Sequence, residues 1–301
     1  MRSCIMPSQS PQWQVTCRHP LIGAEVRGVS LRLPLDAQTL GWLHSLWMKH
    51  LVLIFPDQSI SDEEHIAFGR HFGELEIHPS VSHRSSTNKE IYRVSNVGED
   101  GSIIEERASA WQYINLSWLW HTDSSFRQIP SKGSILHGIE TTTNGGHTKF
   151  ANMYAAYEDL SSEQKHALEG LKVIHDHDFI IKQSKELSSR EDKGSYVQLP
   201  PVSHPLVQRH PITGRPSLFL SPHTMVCIEG MPEASSRKLL DELIAHAIQP
   251  KYVYRHIWRN HDVIMWDNRC TMHSVEPFDN NSIRRIMHRV TLEGEAAPVA
   301  A

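Results

Sequence analysis

The chain has 301 residues, with 30 Lys and Arg against 34 Asp and Glu, a net charge of -4 and 21 histidines. That balance, without a Lys/Arg block, argues against a nucleic-acid partner, and no apolar run reaches the length of a membrane span. Met1–Gln14 is polar, lacks the apolar core of a signal peptide, and precedes a chain whose four cysteines form no Cys-x-x-Cys pair; the expectation is free thiols in the cytoplasm.

Taken in chain order, residues 1–19 read as a polar N-terminal tail, 20–295 as one domain and 296–301 as a C-terminal tail. Leu51–Phe55 is an apolar β-run stopped by Pro56. Ser61-Asp62-Glu63-Glu64 resembles a capping box opening a helix that carries Ile66, Phe68 and Phe72. Ile114–Trp120 is apolar and leads into His121-Thr122-Asp123. Ser134–His137 reads as a strand. A second capping box, Ser161-Ser162-Glu163-Gln164, precedes Ala167, Leu168 and Leu171. His175-Asp176-His177-Asp178 alternates, which on a strand would split histidines from acids; it reads as a polar strand end or loop rather than a chelate. Pro200–Pro216 reads as a loop and Leu218–Leu220 as a strand. Ala234–Ile248 is a helix with Leu239, Leu240, Leu243 and Ile244 as its stripe. Lys251–Trp258, Val263–Trp266 and Arg285–Leu292 complete the strands. The sum is a β-rich α+β domain with helices packed outside.

His121-x-Asp123 is the first chemical signal. Residues i and i+2 of a strand share a side, so both can reach one metal while Thr122 turns away. With 21 histidines and 34 acids in the chain, roughly two His-x-Asp/Glu triplets are expected by chance, and a solvated turn or ion pair is the alternative. A remote histidine such as His273 would complete a two-histidine, one-carboxylate face, which suits a non-haem Fe(II) that must bind a cosubstrate and O2 together. Arg285, Met287 and Arg289 share one strand face. Two arginines buried there each need an anion, and the guanidinium fork matches a carboxylate; a solvated strand face is the alternative.

Together, Trp120-His121-Thr122-Asp123, Gly145-Gly146-His147-Thr148, Met153-Tyr154-Ala155-Ala156-Tyr157, Trp266-Asp267-Asn268-Arg269 and Arg284-Arg285-Ile286-Met287-His288-Arg289 resemble the taurine/2,4-dichlorophenoxyacetate (TauD/TfdA) dioxygenase family. The resemblance runs from about Pro20 to Gly294. It implies a double-stranded β-helix (jelly-roll, cupin-like) core and an Fe(II)- and 2-oxoglutarate-dependent dioxygenase using O2 and releasing succinate and CO2. By position, His121, Asp123 and His273 would hold the iron. Thr148 and Arg285 would bind 2-oxoglutarate, and Arg289 would face the substrate's acidic group. His147 stands where the family usually has Asp. In the taurine branch an Ile-His-Pro-x-Tyr segment and an Asn four residues before the metal His line the site. This chain has His78 in Ile77-His78-Pro79-Ser80-Val81, with Val81 for the Tyr, and Ser117 for the Asn.

With Trp118 nearby, the pocket resembles the aryloxyalkanoate branch more closely. The implied substrate is a small carboxylic acid with an apolar or aromatic body, its hydroxylation leading to ether cleavage in that branch. Alkyl sulfonates or sulfates, amino-acid derivatives and secondary-metabolite intermediates are alternatives within the same chemistry. A non-oxidative metal hydrolase or isomerase on a cupin-like barrel, or a barrel that only binds small acids, is the alternative outside it. A homo-oligomer is expected.

Overall fold

The unbroken apolar runs lie where helices or a second sheet cover both faces of a strand. The structure, a computed structural model, describes residues 13–32, 34–78, 83–104, 115–179 and 199–301. In chain order the strands are β1 (Gln14–Cys17), β2 (Ala24–Arg27), β3 (Val52–Phe55), β4 (Tyr92–Arg93), β5 (Gly133–Glu140), β6 (Thr148–Asn152), β7 (Lys172–His175), β8 (Val202–Pro205), β9 (Val207–Arg209), β10 (Pro216–Leu218), β11 (Met225–Ile228), β12 (Val253–His256), β13 (Val263–Asp267), β14 (Thr271–Val275), β15 (Ile286–Leu292) and β16 (Val299–Ala300). The helices are α1 (Ala37–His50), α2 (Asp62–Arg70), α3 (Met153–Glu158), α4 (Ser162–Leu168) and α5 (Glu233–Ala247).

A seven-stranded sheet runs β1-β2-β3-β13-β5-β15-β4, and three-stranded sheets run β12-β6-β14, β11-β7-β8 and β10-β9-β16. Period two decides which core each side chain joins. Leu53, Phe55, Val263, Met265 and Val290 face outward and pack on Leu43 and Trp47 of α1 and on Ile66 and Phe68 of α2. Their neighbours Val52, Ile54, Ile264 and Trp266 face inward and meet Phe150 of β6. Beyond β6 and β14, Ala151 and Met272 pack with Leu240 and Leu243 of α5. This is the jelly-roll sandwich with helices on both outer faces, and the site lies in its inner layer.

Both capping boxes are present. Ser61 and Glu64 satisfy each other's backbone N–H groups, as do Ser161 and Gln164. Several boundaries differ from the sequence reading. The 1–19 tail contains β1, which pairs with β2, and Trp13 stacks on Trp42. The 296–301 tail contains β16, which pairs with β9. Both additions are edge pairings, made by backbone groups that composition does not reveal. Helix α1 is capped by Asp36, which accepts from Thr39 N without a reciprocal glutamate. Pro200–Pro216 holds β8 and β9, too short and proline-bounded to read as strands. The chain leaves β10 after Leu218, and Pro250–Tyr252 is a 3-10 turn ahead of β12.

Three buried histidines make the fold acid-sensitive. Burial lowers His65 and His175 to about 3 and His137 to about 4, against 6.5 for a free imidazole. The unfolded chain therefore takes up protons that the folded chain refuses. Their stabilisation is complete above the unfolded value and declines as pH falls below it, by about 1.4 kcal/mol per unit for each histidine until the folded values are reached. Urea midpoints are expected to drop steeply between about pH 7 and about pH 5. A flat profile would mean that these imidazoles are not held neutral by the fold.

Candidate active site

His121 and His273 are brought together by backbone. Each N–H donates to the other's carbonyl at 2.9 Å, an isolated antiparallel bridge that sets the two rings 4.1 Å apart. A regular strand through Asp123 was expected. Instead the chain turns at once, with Ser124 at φ +54. Thr122 still points away, its Oγ1 donating to Leu220 O at 2.9 Å, so it staples the turn to a neighbouring loop. The ligand atoms of His121, Asp123 and His273 all lie within 4.8 Å of one another, and all three residues are buried.

Asp123 is the centre of the charge pattern. Oδ1 accepts from Arg289 Nη1 at 2.6 Å and Oδ2 from Ser134 Oγ at 2.7 Å. Burial alone pushes the carboxyl up, but the Arg289 guanidinium, with the Ser134 hydroxyl, outweighs it and holds the group well below the usual carboxylate range. Burial lowers both histidines, keeping them neutral with a lone pair to offer. Leu119 O accepts from His121 Nδ1 at 2.8 Å, so Nε2 is the nitrogen that faces Asp123, 3.9 Å away. Two neutral imidazoles and an ionised carboxylate on one side of a point fit a divalent metal with open positions opposite.

The Trp266-Asp267-Asn268-Arg269 motif supports this cluster. Trp266 Nε1 donates to Asn268 Oδ1 at 2.8 Å, and Asn268 Nδ2 donates to Ser134 Oγ at 3.1 Å. Ser134 therefore presents its hydrogen to Asp123. Asp267 instead pairs with Arg269 and His210, a separate structural knot.

Arg285 is 2 % exposed and burial lowers it to about 10. Its Nε donates to Gly146 O at 3.1 Å, while Nη2 has no partner among the described residues. A buried guanidinium with an unspent N–H calls for an anion. Gly145 and Gly146 turn at φ +75 and +66, and a Cβ on Gly146 would stand 3.2 Å from Arg285 Cδ. Thr148 begins β6, and its Oγ1 accepts from Trp258 Nε1 at 2.9 Å, which leaves its own hydrogen to donate.

On the open side, His78, Ser117 and Arg289 line a cleft with Tyr92, Leu116 and Phe126. The Arg289 guanidinium lies 4.7 Å over the Tyr92 ring, and the His78 ring, tilted by 42°, lies 4.2 Å from the same ring. Trp118 is not among the lining residues; Leu116, two positions earlier, takes the wall. Val81 lies outside the described residues. His177 and His223 also line the cleft and were not expected there. His223 is held neutral, at about 3 by burial, beside His121.

The Taurine catabolism dioxygenase TauD, TfdA family profile matches residues 14–291. The chain belongs to this family. It is a non-haem iron dioxygenase that uses 2-oxoglutarate and O2, and the donor set at His121, Asp123 and His273 and the anion socket at Arg285 fit Fe(II) and that cosubstrate. Over 279 residues the dioxygenase is 37% identical to the alpha-ketoglutarate-dependent 2,4-dichlorophenoxyacetate dioxygenase of Burkholderia sp. (strain RASC), covering 91% of this chain and 92% of that one. It is 34% identical over 302 residues to the (S)-phenoxypropionate/alpha-ketoglutarate-dioxygenase of Sphingobium herbicidovorans, covering 97% and 99%. The crystal structure of AAD-2 in complex with Mn(II) and N-oxalylglycine superposes with a TM-score of 0.85 at 34% identity, over 96% of this chain and 99% of that one.

Removing the Ser134 hydroxyl takes away the bond that aims Asp123. Ser134→Ala is expected to lower divalent-metal affinity by about 10- to 100-fold without unfolding the dioxygenase, read by Mn(II) titration of the apoprotein. Unchanged affinity would make Ser134 a packing residue.

Proposed function

We propose that this dioxygenase hydroxylates a small carboxylic acid with an apolar or aromatic body, aryloxyalkanoates being the first class to test. The observation that carries the reading is the place of Arg289. Its guanidinium spans from Asp123 to the face of Tyr92, in a cleft whose apolar side is formed by Val94, Leu116 and Phe126 and whose remaining lining is polar. One cation beside the metal triad, facing an apolar side of the cleft, matches an acid with a greasy body. The relatives that act on 2,4-dichlorophenoxyacetate and phenoxypropionate support the same class.

In this reading His121, Asp123 and His273 hold the iron. Bound Fe(II) supplies O2 activation coupled to conversion of 2-oxoglutarate into succinate and CO2. Arg285 neutralises the far carboxylate of 2-oxoglutarate and Thr148 donates its hydroxyl hydrogen to it. Arg289 holds the substrate carboxylate, and His78 and Ser117 border that anion. Tyr92, Leu116 and Phe126 take the body and exclude water. Where the hydroxylated carbon bears an ether oxygen, the product is a hemiacetal and separates into an alcohol or phenol and a carbonyl compound. A cytoplasmic location is supported by Cys17, Cys227 and Cys270, all free thiols.

The two arginines are expected to separate in steady-state kinetics. A charged hydrogen bond of about 1.5–3 kcal/mol corresponds to roughly 10- to 150-fold in affinity. Arg285→Gln should raise KM for 2-oxoglutarate by that factor with little change for the acid; Arg289→Gln should raise KM for the acid by at least that factor and, because Arg289 also holds Asp123, should weaken Mn(II) binding to the apoprotein, which Arg285→Gln should not. Succinate release is measured against a panel of aryloxyalkanoates, alkyl sulfates, sulfonates and amino-acid derivatives. If both variants raise the same constant, or if only a non-carboxylate is turned over, the assignment fails.

A further inference from the structure

A second cavity lies apart from the metal and 2-oxoglutarate sites. Strand β16 pairs with β9, Val299 opposite Arg209, and residues 294–299 line a space of about 370 Å3 beside that pairing. That volume is in the range of small-molecule sites. Pro130, Pro211, Phe219 and Val299 give it an apolar side, and Lys132, Arg209 and Arg269 give it a cationic one. It shares no lining residue with the substrate cleft. Ser131 and Asn268 also line it. Asn268 Nδ2 donates to Ser131 Oγ at 3.0 Å and Ser131 Oγ donates to Asp123 O at 3.2 Å, so an occupant would touch the side chains that support the metal carboxylate.

Lys132, Arg269 and Glu295 line this cavity and also an adjoining one of about 300 Å3, so they stand between the two spaces. Lys132 is 9% exposed, and its Nζ pairs with Glu295, whose own side chain is 74% exposed. An ammonium has three N–H donors, and this pairing spends one. Arg269 spends Nε and Nη2 on Asp267, at 2.9 and 2.6 Å, and no hydrogen bond among the described residues uses Nη1. The Lys132 ammonium, and more weakly the Arg269 guanidinium, hold the Glu295 carboxyl below its ordinary range, so one carboxylate feels both cations. An ion pair with so exposed a partner is weak, whereas a mostly buried ammonium still needs an anion. We propose that this cavity is a second small-molecule site, which takes a carboxylate with an apolar body, its acid group replacing Glu295 between Lys132 and Arg269. The site uses neither the iron nor Arg289.

The test titrates para-fluorobenzoate into the Zn(II)-loaded dioxygenase and follows binding by fluorine NMR. Lys132→Met should weaken binding by roughly 10- to 150-fold, the size of a charged hydrogen bond. The uncharged para-fluorobenzamide should bind the wild type correspondingly worse. Glu295→Gln should do the opposite and tighten benzoate binding by about two- to fivefold, because the competing anion is gone. Opposite signs from the two halves of one ion pair are not expected of a merely structural contact. Arg289→Gln should leave this binding in place, which separates it from the substrate cleft. Should Lys132→Met fail to unfold cooperatively on heating, Glu295→Gln, at an exposed side chain, carries the comparison alone. The inference is overturned if the wild type shows no saturable binding, if all binding disappears in Arg289→Gln, or if Lys132→Met and Glu295→Gln both bind as the wild type does. The readout is binding and not turnover, so a wild type that oxidises no acid would overturn the substrate reading and leave this one standing.

Discussion

One buried negative charge organises the site. Asp123 sits inside an apolar sandwich, where an isolated carboxylate would take up a proton rather than remain charged. Arg289 and the Ser134 hydroxyl keep it ionised. Each support needs its own. Ser134 is aimed by Asn268, Asn268 is fixed by the Trp266 indole, and Trp266 is locked in the inner core against Phe150. The metal-binding donor set is therefore continuous with the packing of the sheets, and rigid for that reason.

The parity of one strand separates two anion sockets. Arg285, Met287 and Arg289 lie toward the inner layer around β15, and Met287 joins the inner core. Arg285 stands just before β15, ahead of a register irregularity between Ile286 and Met287, and Arg289 lies within the regular strand. Arg285 reaches the Gly145-Gly146 turn, where only glycine leaves room for it, whereas Arg289 reaches Asp123 and the open cleft. In the proposed function these two cations serve different anions because the backbone sends them to different parts of the site.

Local signals were legible in the sequence, and long-range ones were not. The capping boxes at Ser61 and Ser161 declare themselves within four residues, and the β3 and β13 runs declare their burial by composition. Helix α1 was missed because its cap, Asp36, has no reciprocal partner and its apolar stripe is apparent only against the sheet. The triad and the two arginines were legible through ordered motifs. The substrate wall was not, since Tyr92, Phe126, His177 and His223 meet only in the fold. Trp118, near His121 in sequence and equally readable as a wall or a packing residue, does not line the cleft, whereas Leu116 does. The alternating His-Asp run was legible as a strand end or loop, since β7 ends at its first residue and the chain then turns.

The account depends on the charge at Asp123, not merely on a polar group there. Asp123→Asn keeps the shape, and its one amide oxygen can still accept from Arg289, so cooperative unfolding should persist. Acid-stimulated succinate release by that variant, measured with Fe(II), 2-oxoglutarate and O2 supplied, is the most direct measurement. The account predicts no succinate above the enzyme-free background. Succinate released at the wild-type rate would contradict it.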